Sequence, residues 1–287
     1  MVGQRVSRSD EQSDLPRVTE YDLLAAVRQR LAAGGQVGLF LDYDGTLVPI
    51  ARTPEDARPG AALLHLLTGL AGLPAIRVVI LSGRSLSSLQ AMLPVPGLTL
   101  AGIYGIEIQM PDQSVVIRSD PPHLRPVLEQ VKSAWAQLVA ERPGFLLEDK
   151  GLAVALHARF ADPSDADFVL PQAQSAAAHV ISPAQFRVLS GDRFLEVAPA
   201  TAYKGQTMEW LLDHYMSRDP LLIYCGDDDQ DEEAFAVVRQ RGGTPVVVGQ
   251  GQHATLATDR FSSPDALRGW LQLLEKVARE NHSSEDF

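Results

Sequence analysis

Two aspartates one residue apart follow a short apolar stretch of this chain, in the segment Asp42-Tyr43-Asp44-Gly45-Thr46. In an extended chain, residues two apart point the same way, so both carboxylates are expected to face one space. Two carboxylates this close repel each other unless a cation or a shared proton relieves them. The pair therefore indicates a Mg²⁺ site or a carboxylate that attacks phosphorus. The alternative, a turn with a capping aspartate, is disfavoured by the abrupt exit from an apolar strand.

A second group of acidic residues follows another apolar stretch, at 221–225. The six acids are Asp227, Asp228, Asp229, Asp231, Glu232 and Glu233. One or two acids are favourable at the start of a helix, but six are more than that effect requires. The cluster therefore indicates a cation site, although its spacing does not match the EF-hand loop, which has glycine at the sixth position.

Two further segments carry residues suited to binding a phosphate group. Ser82 follows an apolar stretch and is followed by Gly83 and Arg84. Its hydroxyl and the nearby amides are suited to phosphate oxygens, although serine is also a common helix cap. Lys204 opens a predicted helix over 206–215, where a positive charge is unfavourable for the helix dipole. That position is explained if Lys204 binds an anion.

The elements that must position these residues follow from the apolar pattern. Continuous apolar stretches at the following positions predict buried strands: 37–41, 78–81, 221–225 and 245–248. Such strands are typical of a parallel sheet with helices on both faces. Leucines at helical spacing lie between them, at 63–70 and 86–93. The alternation predicts a doubly wound, mainly parallel, Rossmann-like α/β core.

The middle of the chain has a different pattern, which alternates helices with paired strands. Helices are predicted at 124–140 and 165–180, and strand pairs at 145–147 with 153–160 and at 186–189 with 194–197. This order predicts a small α+β cap domain at 121–200, with prolines at 121–122 and 199 as linkers. The catalytic core would then comprise 21–120 and 201–280. The polar ends predict a disordered tail at 1–20 and a frayed segment at 281–287.

Composition limits the class of protein. The chain has 287 residues and a formal net charge of −11, without a dense run of lysine or arginine. Nucleic-acid binding is therefore not expected. The sequence also lacks the ~18 consecutive apolar residues of a membrane span. Its single cysteine, Cys225, is expected to be a buried strand residue. We expect a cytoplasmic protein with no membrane contact, and the sequence does not predict its oligomeric state.

The four chemical segments together resemble the haloacid dehalogenase superfamily of phosphatases. That pattern is an Asp-x-Asp pair, a Ser or Thr, a Lys and a late Gly-Asp-Asp, in the order found here. Segments 41–50, 82–84 and 102–107 look like the trehalose-6-phosphate phosphatase family, as does the stretch from 148 to 159. The resemblance covers roughly residues 37–274. Two positions depart from the family pattern: Tyr104 stands where histidine is usual, and Gln230 where threonine is usual.

The resemblance implies roles for the core residues. Asp42 would attack phosphorus and form an aspartyl-phosphate, and Asp44 would act first as general acid and then as general base. Lys204 and Ser82 would hold the phosphoryl group. Mg²⁺ would be bound by Asp42, the backbone carbonyl of Asp44 and Asp227. Two further carboxylates, Asp228 and Asp231, would steady its water molecules.

The resemblance also implies a substrate, which is trehalose 6-phosphate, a small-molecule sugar phosphate. The cap would act as a lid that excludes water and contacts the sugar. The residues implied in substrate binding are Gly83, Arg84, Glu148, Lys150, His157, Arg159 and Glu196. One alternative is a phosphatase for another glycosyl phosphate, such as sucrose phosphate or glucosyl- or mannosyl-3-phosphoglycerate. The other is a non-catalytic sensor, which the intact Asp-x-Asp pair disfavours.

Overall fold

The structure of the protein is a computed structural model that describes residues 20–119, 121–191, 193–251 and 254–285. The predicted tail at 1–20 lies outside these residues except for its last member. The strands are β1 Val37–Leu41, β2 Ile76–Leu81, β3 Thr99–Gly102, β4 Glu107–Gln109, β5 Val115–Ile117, β6 Leu146–Asp149, β7 Val154–His157, β8 Phe186–Gly191, β9 Phe194–Pro199, β10 Leu221–Gly226, β11 Thr244–Val248 and β12 Asp259–Phe261. The helices are α1 Glu20–Ala32, α2 Ala61–Ala71, α3 Leu86–Met92, α4 Pro121–Val139, α5 Pro163–Val180, α6 Lys204–His214, α7 Glu232–Gln240 and α8 Pro264–Glu285.

The larger of two sheets has eight strands within the described residues, in the order β12-β11-β10-β1-β2-β3-β4-β5. Strands from β12 to β3 pair in parallel, whereas β4 and β5 are antiparallel additions. Helices pack on both faces, so the predicted doubly wound, mainly parallel fold is confirmed. The chain order reverses between β1 and β10. In open α/β sheets, ligands bind at such a reversal, outside the carboxyl ends of the strands.

Both faces of this sheet are apolar because successive side chains of a strand point to opposite sides. Leu39 and Leu41 of β1 belong to the cluster formed with α1, α2 and α8, where Trp270 is fully buried. Phe40 points to the other face and belongs to the cluster formed with α6 and α7, together with Met208. The continuous apolar sequence of β1 therefore reflects burial on two sides.

The smaller sheet has four antiparallel strands in the order β6-β7-β9-β8, and we call it, with α4 and α5, the cap. The two helices pack on one face, where the buried Trp135 donates its Nε1–H to the Ala173 carbonyl oxygen at 2.8 Å. The opposite face turns towards the larger sheet, because Leu189 and Ala198 pack with Ile103. The cap therefore has two layers: its helices lie on the outside, and the free face of its sheet packs against the core.

The structure corrects two expectations at the ends of elements. Pro121 and Pro122 do not form a linker, because α4 begins at Pro121. Proline suits the first turn of a helix, where its missing N–H would have no partner. The segment from Asn281 was expected to be frayed, but α8 continues through it to Glu285. The preceding turn of this helix is packed on the core by the buried Ala278. None of the described helices is long and apolar enough to cross a membrane.

Candidate active site

Asp42 and Asp227 meet where the strand order reverses. Asp42 follows β1 and Asp227 follows β10, and these parallel strands pair Leu41 with Cys225. Asp42 is only 5% exposed at the base of this crevice. Gly45, with φ of +83°, allows the close approach of Asp227, because a β-carbon there would overlap that carboxylate. The sheet topology therefore brings together two acids that are 185 residues apart in the chain.

Lys204 is buried between two of these acids. Its Nζ donates to Asp42 Oδ1 at 2.8 Å and to Asp231 Oδ1 at 2.7 Å, and only 2% of the side chain is exposed. Although burial opposes it, the two carboxylates raise the pKa of Lys204 well above its ordinary value. Lys204 is therefore a fixed positive charge beside Asp42 rather than a surface lysine.

Asp231 organises the loop after β10. Its Oδ1 accepts from Lys204 and from the Tyr224 hydroxyl at 2.6 Å, and its Oδ2 accepts the backbone N–H groups of Asp227 and Asp228 at 2.9 and 3.1 Å. Although burial opposes it, Lys204 holds the pKa of Asp231 below its ordinary value. Asp231 is therefore ionised and engaged by four donors, which suits it to hold Lys204 and the loop in place.

The remaining oxygens of Asp42 and Asp227 suit a hard cation. One oxygen each from Asp42, Asp227 and Asp231 lies within 4.8 Å of the others. Lys204 and the Thr46 hydroxyl engage the Oδ1 atoms of the first two, which leaves their Oδ2 atoms for a cation within the described chain. Carboxylate oxygens are the ligand type that Mg²⁺ prefers. Asp228 lies at the rim, half exposed and 4.0 Å from Lys204 Nζ.

The protonation of both acids depends on a positive charge. Burial raises the pKa of Asp42 well above its ordinary value, Lys204 opposes this shift, and Asp231 and Asp227 add to it. Burial and then Asp231 raise the pKa of Asp227 to about 7. A bound cation would favour the ionised form of both carboxyls, because it offsets burial and the mutual repulsion. Lys204 therefore offsets only part of the unfavourable effect of burial on the ionised forms of Asp42 and Asp227, and a bound cation would offset more of it.

Asp44 is held by Arg84. The guanidinium donates to both carboxylate oxygens, from Nε at 2.6 Å and from Nη2 at 2.7 Å, and also lies 5.3 Å from the ring centre of Tyr43. Arg84 is 7% exposed, whereas the Asp44 side chain is 37% exposed. Asp44 is thus partly exposed and held by Arg84, whose expected contact with the substrate stays a prediction.

Ser82 lies at the end of β2, beside β1 in the sheet. It is almost fully buried, and its Oγ accepts the backbone N–H of Arg84 at 3.3 Å. The hydroxyl therefore keeps its own proton for an incoming oxygen. Gly83 presents its carbonyl oxygen to the cap, where Lys150 Nζ donates to it at 3.0 Å. The segment expected to bind phosphate thus also contacts the cap.

The cap presents two carboxylates to the core from one row of its sheet. Glu148 of β6 pairs with Ala155 of β7, which pairs with Glu196 of β9, so both glutamates lie on the face opposite the helices. Glu196 is fully buried and accepts from Lys150 Nζ at 2.8 Å. Burial raises the pKa of Glu196, and Lys150 opposes the shift. Lys150 also lies 5.9 Å from the ring centre of Phe194.

Of the other two expected cap residues, one joins this group and one lies apart from it. His157 shares the row's face, and its Nε2 lies 2.9 Å from Glu148 Oε2. Although burial opposes it, His157 lowers the pKa of Glu148. Arg159 donates to the backbone oxygen of Ala51 at 2.7 Å, and thereby joins the cap to the core at an exposed margin. The structure therefore groups Glu148, Lys150, His157 and Glu196, but not Arg159.

The sequence interpretation did not identify several residues that position this site. Glu233 accepts the backbone N–H of Lys204 at 3.1 Å and so caps α6, which has no side-chain cap of its own. It also accepts from Arg187 of the cap at 3.0 Å. Thr46 and Tyr224 engage Asp227 and Asp231 as described above. Thr46 and Glu233 carried a signal, the first by its place after the Asp-x-Asp pair and the second as a member of the acidic cluster, but neither signal gave the role seen here. Tyr224 carried none, because a tyrosine within an apolar strand looks like any other core residue.

Comparison with known proteins gives the relatives of this chain. A model of the trehalose-phosphatase family matches residues 40–266. The trehalose-phosphate phosphatase of Mycobacterium avium (strain 104) is 34% identical over 241 residues, which are 81% of this chain and 60% of that protein. The chain thus spans about three fifths of the length of that relative.

Solved structures have the same fold. The C-terminal domain of Candida albicans trehalose-6-phosphate phosphatase is 24% identical, with a TM-score of 0.76, and the match covers 91% of this chain and 98% of that one. Aspergillus fumigatus trehalose-6-phosphate phosphatase (crystal form 3) is 27% identical, with a TM-score of 0.61 and the same coverage. Because the family model matches most of the sequence, over the segments that form the crevice, this chain belongs to the trehalose-phosphatase family.

Proposed function

We propose that this protein is a magnesium-dependent phosphatase that hydrolyses trehalose 6-phosphate to trehalose and phosphate through an aspartyl-phosphate on Asp42. The observation that carries the proposal is the buried Asp42 carboxylate, held by Lys204 beside Asp227 at the reversal of strand order. The names of the relatives support the choice of sugar. A cytoplasmic location, expected from the sequence, stays a prediction.

In the proposed mechanism, Lys204 holds Oδ1 of Asp42 and orients the carboxylate for attack on phosphorus. The bond to the sugar oxygen breaks as the bond from Asp42 forms. Lys204 and the Ser82 hydroxyl stabilise the charge of the transferred phosphoryl group. Bound Mg²⁺, held by Asp42, Asp227 and the Asp44 carbonyl, would neutralise further negative charge on that group.

Asp44 would supply the proton for the departing sugar oxygen. It then takes a proton from the water that hydrolyses the aspartyl-phosphate. Each Asp44 oxygen accepts one hydrogen bond from Arg84 and keeps a second lone pair, at which the proton can be carried. Arg84 therefore holds the acid in place while the proton is transferred.

We further propose that the chain divides into a catalytic core at 21–120 and 201–280 and a cap at 121–200 that contacts the sugar. The cap face that carries Glu148, Lys150 and Glu196 lies against the core segment Ser82–Arg84. Closure of such a lid excludes water and aligns the substrate. The sugar beyond the phosphate would therefore be recognised by cap residues.

The substrate is tested with sugar phosphates that share the phosphoryl group. We expect kcat/KM for trehalose 6-phosphate to exceed that for glucose 6-phosphate by about 10²–10⁴-fold, because each unpaired buried polar contact costs ~1–3 kcal/mol. Glu148→Ala should reduce this discrimination ratio. Glu129→Ala, a half-exposed cap glutamate paired with Arg125, is the matched control and should leave the ratio unchanged.

The same assay includes sucrose phosphate and glucosyl-3-phosphoglycerate. Equal kcat/KM for trehalose 6-phosphate and glucose 6-phosphate would refute the trehalose assignment, and a faster alternative substrate would replace it. Absence of phosphate release from every compound would point instead to a sensor.

Metal dependence is tested by removing bound metal ions with a chelator and then adding Mg²⁺. After dialysis against chelator, phosphate release should vanish and return with Mg²⁺. Because the pKa of Asp227 is raised to about 7, protons compete with the cation below that pH. The apparent Mg²⁺ affinity should therefore fall as the pH is lowered through about 7.

Thermal unfolding without substrate supplies an independent measure of the same affinity. Mg²⁺ should raise Tm of the wild type and of Asp112→Asn, an exposed control, but not of Asp227→Asn. Full activity in excess chelator, or an affinity independent of pH between 6 and 8, would contradict this site.

A further inference from the structure

The segment Ile103–Tyr104–Gly105 has an unusual backbone conformation next to the crevice. All three residues have positive φ, +50°, +55° and +89°, and a β-branched residue such as Ile103 rarely adopts this region. Such strain persists only where surrounding contacts enforce it, and it clusters at functional sites. The segment also lies between core and cap, which makes the contacts that hold it informative.

Those contacts come from the two core elements that carry the proposed phosphate-binding residues. The N–H of Ile103 donates to the Arg84 carbonyl at 2.7 Å, and the N–H of Tyr104 donates to the Ser82 carbonyl at 2.9 Å. The Thr207 hydroxyl, one turn after Lys204 on α6, donates to the Tyr104 carbonyl at 2.7 Å. The backbone of Tyr104 is therefore fixed to both elements that hold Ser82 and Lys204.

The Tyr104 side chain extends from this fixed backbone to the cap. Tyr104 is 5% exposed, and its hydroxyl donates to Glu196 Oε2 at 3.2 Å. Lys150 Nζ donates to the same oxygen at 2.8 Å. A β-carbon at Gly83 would lie 2.7 Å from the Tyr104 hydroxyl oxygen, so the phenol packs directly against that glycine. Tyr104 thus contacts the Ser82–Arg84 segment and the buried cap carboxylate at once.

The other oxygen of Glu196 has no partner within the described residues. Glu196 Oε1 is buried without a hydrogen bond, and Glu196 itself is fully buried. An unpaired buried carboxylate oxygen is unfavourable, and such groups in folded proteins often serve a ligand. Because Tyr104 and Lys150 both engage Oε2, the carboxylate plane is fixed and Oε1 remains as the acceptor.

We propose that Tyr104 is a positioning residue for sugar specificity, which holds Glu196 so that Oε1 accepts a hydroxyl of the second sugar ring when the substrate is bound. The inference rests on the proposed function, because it requires a substrate with a second ring. Tyr104 connects recognition of the sugar on the cap to the core segment that carries Ser82.

The test is a double-mutant cycle on the discrimination ratio, kcat/KM for trehalose 6-phosphate over that for glucose 6-phosphate. Tyr104→Phe keeps the ring and removes the hydroxyl, and should lower the ratio about tenfold, or about 1.4 kcal/mol. Glu196→Gln should lower it further, because Tyr104 and Lys150 orient the amide oxygen towards themselves and leave an NH₂ group where Oε1 stood. In the Glu196→Gln background, Tyr104→Phe should change the ratio less than twofold, roughly the additivity error of such cycles.

The outcomes separate this inference from the proposed function. A general loss of stability would lower kcat/KM for both sugars alike and leave the ratio unchanged, which would overturn the positioning role. An equal loss of the ratio in both backgrounds would also overturn it, because Tyr104 would then act without Glu196. A wild-type ratio near one would refute the proposed function itself, and the inference with it.

Discussion

Asp42→Asn is expected to lower phosphate release from trehalose 6-phosphate by at least about 10³-fold, or about 4 kcal/mol of barrier. An amide does not attack phosphorus, and neither Lys204 nor Ser82 supplies another nucleophile in the same place. The substitution is nearly isosteric, and the oxygen of the introduced amide can still accept from Lys204. The fold should therefore persist.

Stability supplies a second measurement on the same variant. Burial disfavours the charge on Asp42 and raises its pKa, so ionisation of this group costs stability as the pH rises above the ordinary aspartate range. In chelator at neutral pH, Asp42→Asn should therefore unfold at a temperature no lower than the wild type. Asp112→Asn, at an exposed turn, is the control for both measurements. Retention of more than about a tenth of the wild-type rate, roughly 1.4 kcal/mol, would rule out covalent catalysis by Asp42.

Lys204→Met is expected to lower kcat by about 10²–10³-fold, the usual loss when one preorganised charge or donor is removed from a transition state. The variant should also unfold at a lower temperature, because the ionised Asp231 would be left buried without its cation. Breaking a buried ion pair in this way costs roughly 3–5 kcal/mol. Circular dichroism, thermal unfolding and phosphate release measure the two effects separately.

The matched control is Lys132→Met, a cap lysine that pairs with Asp149 near the surface. An exposed pair contributes little to stability, so activity and Tm should stay near the wild type. If Mg²⁺ restores the Tm of Lys204→Met but not its kcat, the lysine acts on the phosphoryl group as proposed. Wild-type kcat in Lys204→Met would contradict that role.

The core fold could be predicted from local patterns because burial on two faces leaves a continuous apolar run. β1 and β10 follow from such runs. β3, β4, β5 and β12 were not predicted, because strands of three or four residues can be too short to show a pattern. Pro121 was misplaced for a related reason: a proline that starts a helix and a proline in a linker look alike in sequence.

The sequence by itself determined which residue types stand at the strand ends and at the start of one helix, and hence that Asp42, Asp44, Ser82, Lys204 and Asp227 are candidates for one site. Parallel strands place their carboxyl ends at one edge, so the convergence of the aspartates and Ser82 follows from the strand order once the sheet is assumed. Lys204 begins a helix, so its place beside them does not follow from that order. The catalytic roles of these five residues remain predictions that the variants above test.

Only the tertiary structure decided how these side chains are held. Arg84 donates hydrogen bonds to Asp44, and Glu233 caps the helix that begins at Lys204. The Tyr104 hydroxyl donates to Glu196 across the boundary between core and cap. Each contact joins residues 29 to 92 positions apart in the chain. Such pairs form only after the sheet and the cap have packed, because short-range periodicity reports which side of an element is buried but not which distant group it meets there.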